Sequence, residues 1–226
     1  MSSSVPPTLT SAQVRELDAL AQERFGISVD WLMEAAGWQV ARFVGQPAVV
    51  VCGVGNNAGD GLAAARHLHR WGRLAHVCCV DAARLAGPAA RELDALLRIG
   101  VDVSSEVRFD EAKVVVDAIF GTGVSRPPEG RFAEWIERIN RSGLAVIAID
   151  VPSGLDADSG VAYAPCVKAS VTITLGLPKA GLGKGDGPRL AGGVLVADIG
   201  VPAEAYSAIG VEIPSDLFAH GDLVRL

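Results

Sequence analysis

Short, predominantly apolar runs, spaced by segments of helical periodicity, constrain this chain more than any other feature. Ala48 to Cys52, Leu74 to Val80, Val114 to Phe120 and Ala145 to Ile149 each read as a strand with no apolar–polar alternation. Strands of that kind are buried on both faces, which is the mark of a parallel sheet covered by helices. Between them, Leu62 to Trp71, Pro88 to Ile99 and Phe132 to Asn140 carry helical patterns, and Val171 to Leu175 and Val194 to Ala197 read as later strands. Ahead of the sheet, Thr10 and Gln13 have the spacing of a capping box, with Val14, Leu17 and Ala21 following on one face. A second helix is expected from Ser28 to Val44, with Trp31, Leu32, Ala35, Val40 and Phe43 available to pack. The pattern predicts a doubly wound α/β fold in one domain over residues 1–226, with residues 1–8 as a loose tail.

Composition excludes several other classes. Half of the residues are hydrophobic and 20% are charged, so the chain can build a core. The apolar runs end long before membrane-spanning length. A net charge of −6 argues against a broad nucleic-acid surface, which needs clustered Lys and Arg. The opening MSSSVPPTLT has neither an apolar core nor arginines and does not look like a targeting peptide. The four cysteines lack metal-ligand spacing; Cys52, Cys78 and Cys79 fall in strands and Cys166 stands alone, as expected of reduced thiols in a cytoplasmic protein.

Open α/β sheets bind ligands beyond the carboxyl ends of their strands, and three motifs fall there. GVGNNAGDG, Gly53 to Gly61, places four glycines and two asparagines in nine residues directly after a strand. Glycines let the backbone approach a ligand, and a helix opening near Asp60 offers free N–H groups for phosphate. Asn56 and Asn57 add short amides that tolerate left-handed turns and can bind a ligand or cation. The plainer alternative is a tight turn with Asp60 as helix N-cap.

DAIFGTGVSRP, Asp117 to Pro127, holds a carboxylate inside a Val- and Ile-rich strand, expensive unless paired or bound to a cation. Ser125 and Arg126 suit phosphate, or are simply solvated loop residues. DVPSGLDADSG, Asp150 to Gly160, puts Asp150 at a strand end as a candidate acid or base, with Asp156 and Asp158 as turn-formers. Lys179 and Lys184, in a glycine-rich loop after another strand, read by default as solvated.

Gly53-Val-Gly55-Asn-Asn-Ala58 also fits the dinucleotide fingerprint, with Asp81 where a ribose-binding acid should stand. An NAD-dependent dehydrogenase is therefore a local alternative. Against it, Asp60 would set a negative charge beside the pyrophosphate, and Asp117 and Asp150 would have no role. A Walker-type kinase is weaker, for lack of Gly-Lys-Ser/Thr.

Taken in order, GVGNNAGDGLAAARHL, VVVDAIFGTGVSRP, IAIDVPSGLDADSG and TLGLPKAGL strongly resemble the NAD(P)H-hydrate epimerases, the family of the YjeF N-terminal domain. The resemblance runs from Leu9 to about Pro202. It implies a Rossmann-like three-layer αβα sandwich with a mostly parallel central sheet. The implied activity is interconversion of the R and S forms of NADHX and NADPHX, hydrated at C6 of the reduced ring, in repair of damaged cofactor.

By the same resemblance, Asn56, Asn57, Ala58, Gly59 and Asp60 would contact the substrate, as would Gly121, Thr122, Gly123, Val124, Ser125, Arg126 and Pro127. Asp150 would touch its reacting end. A potassium ion would be held by Asn57, Asp117 and Ser153. The family further implies a homodimer through the N-terminal helices. Its bifunctional members attach a dehydratase domain, for which no room remains before Leu226, so a separate dehydratase is the expected partner.

Two departures from the family pattern stand out: Ala35 where an asparagine is usual, and Ala58 in place of a glycine. If position 58 needs positive φ, alanine would be strained by about 1 kcal/mol. Related domains act as scaffolds in apolipoprotein A-I binding and messenger-RNA decapping, but here Asn57, Asp117, Asp150 and Ser153 are all present. The expected chemistry has Asp150 as acid on the departing C6 hydroxyl and base on the returning water, while the glycine loops hold the pyrophosphate.

Overall fold

The computed structural model describes residues 6–226. Two helices, α1 (Ser11–Glu23) and α2 (Val29–Phe43), precede β1 (Ala48–Cys52), α3 (Asn56–Arg70), β2 (Leu74–Cys79), α4 (Gly87–Arg98) and β3 (Val103–Ser104). Then follow β4 (Val114–Ala118), α5 (Gly130–Arg141), β5 (Ala145–Ile149), β6 (Val171–Leu175) and α6 (Gly187–Leu190). The chain closes with β7 (Gly193–Ala197), α7 (Ala203–Ala208) and β8 (Leu223–Arg225).

One sheet runs in the order β3-β2-β1-β4-β5-β6-β7-β8, with only β8 antiparallel to its neighbour. The unbroken apolar runs divide by the two-residue strand period into two layers. Val50, Cys52, Val116 and Ala118 pack with Leu62 and Leu68 of α3, while Val49, Val51 and Val115 pack with Trp135, Ile136 and Ile139 of α5. Sheet and both helical faces make the expected three-layer sandwich.

Strand order reverses between β1 and β4. The two are in register, Ala48 opposite Val114 and Cys52 opposite Ala118, so they end side by side. A crevice forms beyond such a reversal. Its floor is tight: Gly53 N–H donates to Ala118 O at 3.0 Å, and a Cβ on Gly53 would lie 2.0 Å from Ile119 O. Gly61 faces Ala118 Cβ at 2.4 Å from its own would-be Cβ, which lets α3 settle onto β4.

The termini of the first two helices follow the sequence. Thr10 caps α1 in a full capping box with Gln13, and Ser28 caps α2. Three expectations need correction. Trp31 and Phe43 do not enter the core; Trp31 is 67% exposed. Of the expected loose tail over residues 1–8, residues 1–5 lie outside the described residues, while Pro6 is buried and Leu9 bridges to Lys179. The third helix starts at Asn56 with Gly55 as N-cap, so Asp60 lies in its second turn and caps nothing. The short strands β3 and β8 and the helix α7 carry too little periodicity to be read beforehand.

Candidate active site

A cavity of about 430 Å³ opens at the switch point, within the size range of small-molecule sites. Its walls come from the ends of β1, β4, β5 and β6, from the first turns of α3, and from α1, α2 and α7. Asn56, Asn57, Asp60, Gly121, Thr122, Gly123 and Asp150 all line it, joining residues far apart in sequence.

The remaining predicted contacts fall elsewhere. Ala58 and Gly59 are buried in the first turns of α3, where a Cβ on Gly59 would meet Met33 Sδ at 2.5 Å. They set the close approach of α3 to α2. Val124, Ser125, Arg126 and Pro127 follow Gly123 on a loop outside the cavity wall, with Ser125, Arg126 and Pro127 exposed. Ala58 is helical and absent from the positive-φ residues, so it carries no strain. Ala35 is half-buried and does not line the cavity. Neither departure disturbs the wall, and Asp81 is also outside it.

Asp117 is fully buried in β4 and ties two loops together. Its Oδ1 accepts from Ser153 Oγ at 2.7 Å and from Ile119 N–H at 3.2 Å, and its Oδ2 accepts from Ser153 N–H at 2.9 Å. Ser153 Oγ in turn accepts from Phe120 N–H at 2.8 Å. Three donors explain how a carboxylate survives in that strand. Burial still outweighs them and pushes its pKa up to about 6. Asn57, 8% exposed, shows the opposite state: both Oδ1 and Nδ2 are buried without a hydrogen-bond partner. Gly121 passes close by, and a Cβ there would sit 3.5 Å from Asn57 Oδ1.

Asp150 follows β5 in a left-handed conformation, φ 67°, which aspartate tolerates better than most residues. Its Oδ1 accepts from Leu175 N–H at 3.1 Å and from Thr174 Oγ1 at 3.3 Å. Lys179 Nζ stands 2.5 Å from the same oxygen and donates to Leu175 O at 2.6 Å and Leu177 O at 3.1 Å. Lys179 is only 2% exposed, contrary to the solvated default. The sequence hint was its place shortly beyond the end of β6, on the same edge of the sheet as Asp150 after β5.

Asp60 also faces the cavity. Burial first, then the charges of Asp150 and Asp18, push its pKa well above the carboxylate range. That shift favours the neutral form of Asp60 over the charged one. Asp156 is the expected turn-former, accepting from Ser159 N–H at 2.8 Å. Asp158 does more: it accepts from Ser11 N–H at 2.5 Å and Ser11 Oγ at 2.8 Å, fastening α1 to the turn after β5.

A switch-point crevice with free N–H groups at the start of α3, a buried lysine–carboxylate pair and the unpartnered Asn57 amide defines an α/β protein with a small-molecule site that carries acid–base groups. Comparison with known proteins narrows the class. Residues 29–181 match the family model described as YjeF-related protein N-terminus, and the chain belongs to that family.

An NAD(P)H-hydrate epimerase from Rhodopirellula baltica is 35% identical over 91% of this chain and 89% of its own length. Another from Dehalogenimonas lykanthroporepellens is 36% identical over 96% and 92%. A bifunctional NAD(P)H-hydrate repair enzyme from Thermofilum pendens is 42% identical, but this chain spans only 40% of its length. The crystal structure of yeast ynu0, YNL200c, superposes with a TM-score of 0.82 over 97% of this chain and all of that one, at 24% identity. That likeness concerns the fold.

Proposed function

We propose that the chain is an NAD(P)H-hydrate epimerase, an isomerase acting on NADHX and NADPHX. Full-length relatives bearing that name support the reading, and the observation that carries it here is the Asp150–Lys179 pair inside the switch-point cavity.

Epimerisation at C6 requires the C–O bond to break and re-form. The ring nitrogen lone pair expels the hydroxyl as water, leaving a planar iminium, and water returns to the other face. Asp150 is the acid–base group at the reacting end, and Lys179 fixes its orientation and charge. The N–H groups of Asn56 and Asn57, at the positive end of α3, receive the pyrophosphate, with Gly121, Thr122 and Gly123 opposite. Val124, Ser125, Arg126 and Pro127 enter only through the outer, ribose or 2′-phosphate side of a ligand that extends beyond the cavity.

A potassium ion belongs to the same reading, with Asn57, Asp117 and Ser153 as its holders. The orphaned Asn57 Oδ1 suits a hard cation, and so does the buried charge of Asp117. Among the described residues no group of three His, Cys, Asp or Glu side chains converges on a metal position, so amide, hydroxyl and backbone oxygens complete such a site. When bound, the ion supplies a fixed positive charge beside the phosphate-binding loops.

Further parts of this reading are a homodimer, supported by the exposed Trp31 on α2, and a cytoplasmic location, supported by four free cysteines. No helix among the described residues is long and apolar enough to cross a membrane. Coupling to a dehydratase completes it, in line with relatives that bear bifunctional repair names.

The test mixes both NADHX epimers with a dehydratase that consumes only the S form and follows loss of the R form. Acceleration over the spontaneous rate is expected. No acceleration favours a scaffold role, and reduction of NAD by an alcohol would revive the dehydrogenase.

A further inference from the structure

Helix α1 brings to the cavity a carboxylate that this scheme leaves without a task. Asp18 falls at the fourth position after Val14, beside Leu17 and Ala21, on the inward face of an amphipathic helix, and it lines the cavity together with Asp60, Asp150 and Lys179. The helix is held there firmly. Asp158 clamps Ser11, and Leu9 forms a parallel bridge to Lys179, its N–H donating to Pro178 O at 2.8 Å and its carbonyl accepting from Ala180 N–H at 2.9 Å.

Lys179 gives its ion pair to Asp150, and among the described residues the Asp18 carboxylate has neither a hydrogen bond nor an ion pair. A half-buried carboxylate that lines the cavity without a protein partner is open to a ligand there. The Asn57 amide, with both polar atoms buried in the same wall and unpartnered, marks the cavity independently as a ligand site.

We propose that Asp18 is the second acid–base group of this cavity, so that departing and returning water are served by different carboxylates. The proposal rests on the epimerase reading. Inversion needs proton transfer on both faces of a ring held in place by its diphosphate, and a single group on a rigid strand end reaches one face.

In one direction Asp18 protonates the C6 hydroxyl as the C6–O bond breaks, the nitrogen lone pair forms the C=N bond, and water leaves. A second water then bonds to C6, its proton passes to Asp150, and the C=N electrons return to nitrogen. In the other direction the two carboxylates exchange roles. One proton enters and one leaves, with no redox change. Burial, and then the charge of Asp150, push the Asp18 pKa up to about 6 against the opposing charge of Lys179, close to the range an acid–base group needs. Asp60, Tyr206 and the exposed Arg15 are the other titratable or charged groups on that side of the cavity.

The test compares wild type, Asp18→Asn and Asp150→Asn in water labelled with heavy oxygen. Two readouts are taken: epimer conversion through the S-specific dehydratase, and label entering the unconverted epimer, by mass spectrometry. In Asp18→Asn, epimerisation should fall about 10²-fold with little change in KM. Label exchange in the epimer whose hydroxyl faces Asp150 should remain above the uncatalysed rate. Asp18→Ser should behave the same way, with unfolding curves showing that α1 stays docked.

Wild-type epimerisation in Asp18→Asn overturns the proposal and leaves the epimerase reading standing. Equal loss of exchange and epimerisation also overturns it, since that is what a merely structural residue would give. A wild-type protein that neither exchanges nor epimerises brings down both readings.

Discussion

Lys179 Nζ lies 2.5 Å from Asp150 Oδ1, and both side chains are buried at the ends of adjacent strands. The lysine is anchored by two backbone carbonyls, so its charge is fixed in place and the carboxylate is oriented by it. Asp150→Asn keeps the left-handed backbone that asparagine also tolerates. It should reduce the epimerisation rate by about 10²- to 10⁴-fold while the unfolding transition stays cooperative. Lys179→Met should lose rate to a similar degree. Near-normal turnover in either variant removes the pair from the mechanism.

Asp158 acts on the site from a distance, through the N-terminus of α1. Replacing it with alanine leaves Ser11 N–H without its acceptor and should cost about 1 kcal/mol in denaturant unfolding. Amide exchange should quicken across α1 more than in α3 or α5. Uniform protection in the variant would show that α1 is held by its apolar contacts alone.

The glycine loop separates into positions of different kinds. Gly53→Ala drives a methyl group against Ile119 O and should destabilise by about 3 kcal/mol. Gly55 has nothing within 4 Å of a would-be Cβ, so Gly55→Ala should leave stability nearly unchanged and raise KM instead. Ala58→Gly brings no relief, because position 58 is helical, and should cost about 1 kcal/mol. A stabilising Ala58→Gly would contradict the helical start at Asn56.

Asp117 and Asp18 give the protein an acid-favouring stability. Both have folded pKa values raised from 3.8 to about 6, so the folded state binds their protons more tightly than the unfolded chain. The stabilisation is complete below the unfolded value and is lost as pH rises through about 6. In buffers free of small monovalent cations, the urea midpoint should therefore rise as pH falls from about 8 to about 5. For the fully buried Asp117 the effect is roughly 3 kcal/mol. The carboxylates held low by their partners, Asp156 among them, oppose this only in more acid solution. Asp18→Asn should make the slope shallower, and an unchanged slope would mean that Asp18 is freely solvated.

Potassium should offset the cost of the buried Asp117 charge. At neutral pH, potassium chloride should raise the melting temperature above that in choline chloride of equal strength, and Asn57→Leu should abolish the difference. Equal melting temperatures in both salts for the wild type would exclude Asn57 and Asp117 as cation holders.

Most of the α/β order was legible because buried parallel strands must be unbroken apolar runs, and because Thr10, Ser28 and the strand-end glycines signal local geometry directly. Asp117 and Asp150 stood out for a related reason: a carboxylate in or beside such a run needs a partner or a use. The same test applied to helices would have found Asp18, the acidic residue within the stripe of Val14, Leu17 and Ala21. Lys179 gave a weaker signal, since a lysine after a strand is usually solvated and only its partner makes it otherwise.

The sequence by itself determined the strands, the helix caps and the strand-end motifs, all of which depend on neighbours within a few residues. Tertiary structure alone decided that Lys179 meets Asp150, that Asp158 holds α1, and that Asn57 is left unpartnered while Asp117 is not. These relations join residues 29 to 147 positions apart, across loops whose meeting depends on the reversal of strand order between β1 and β4. Periodicity carries no record of such contacts, because their energy arises only once the sheet has brought the strand ends together.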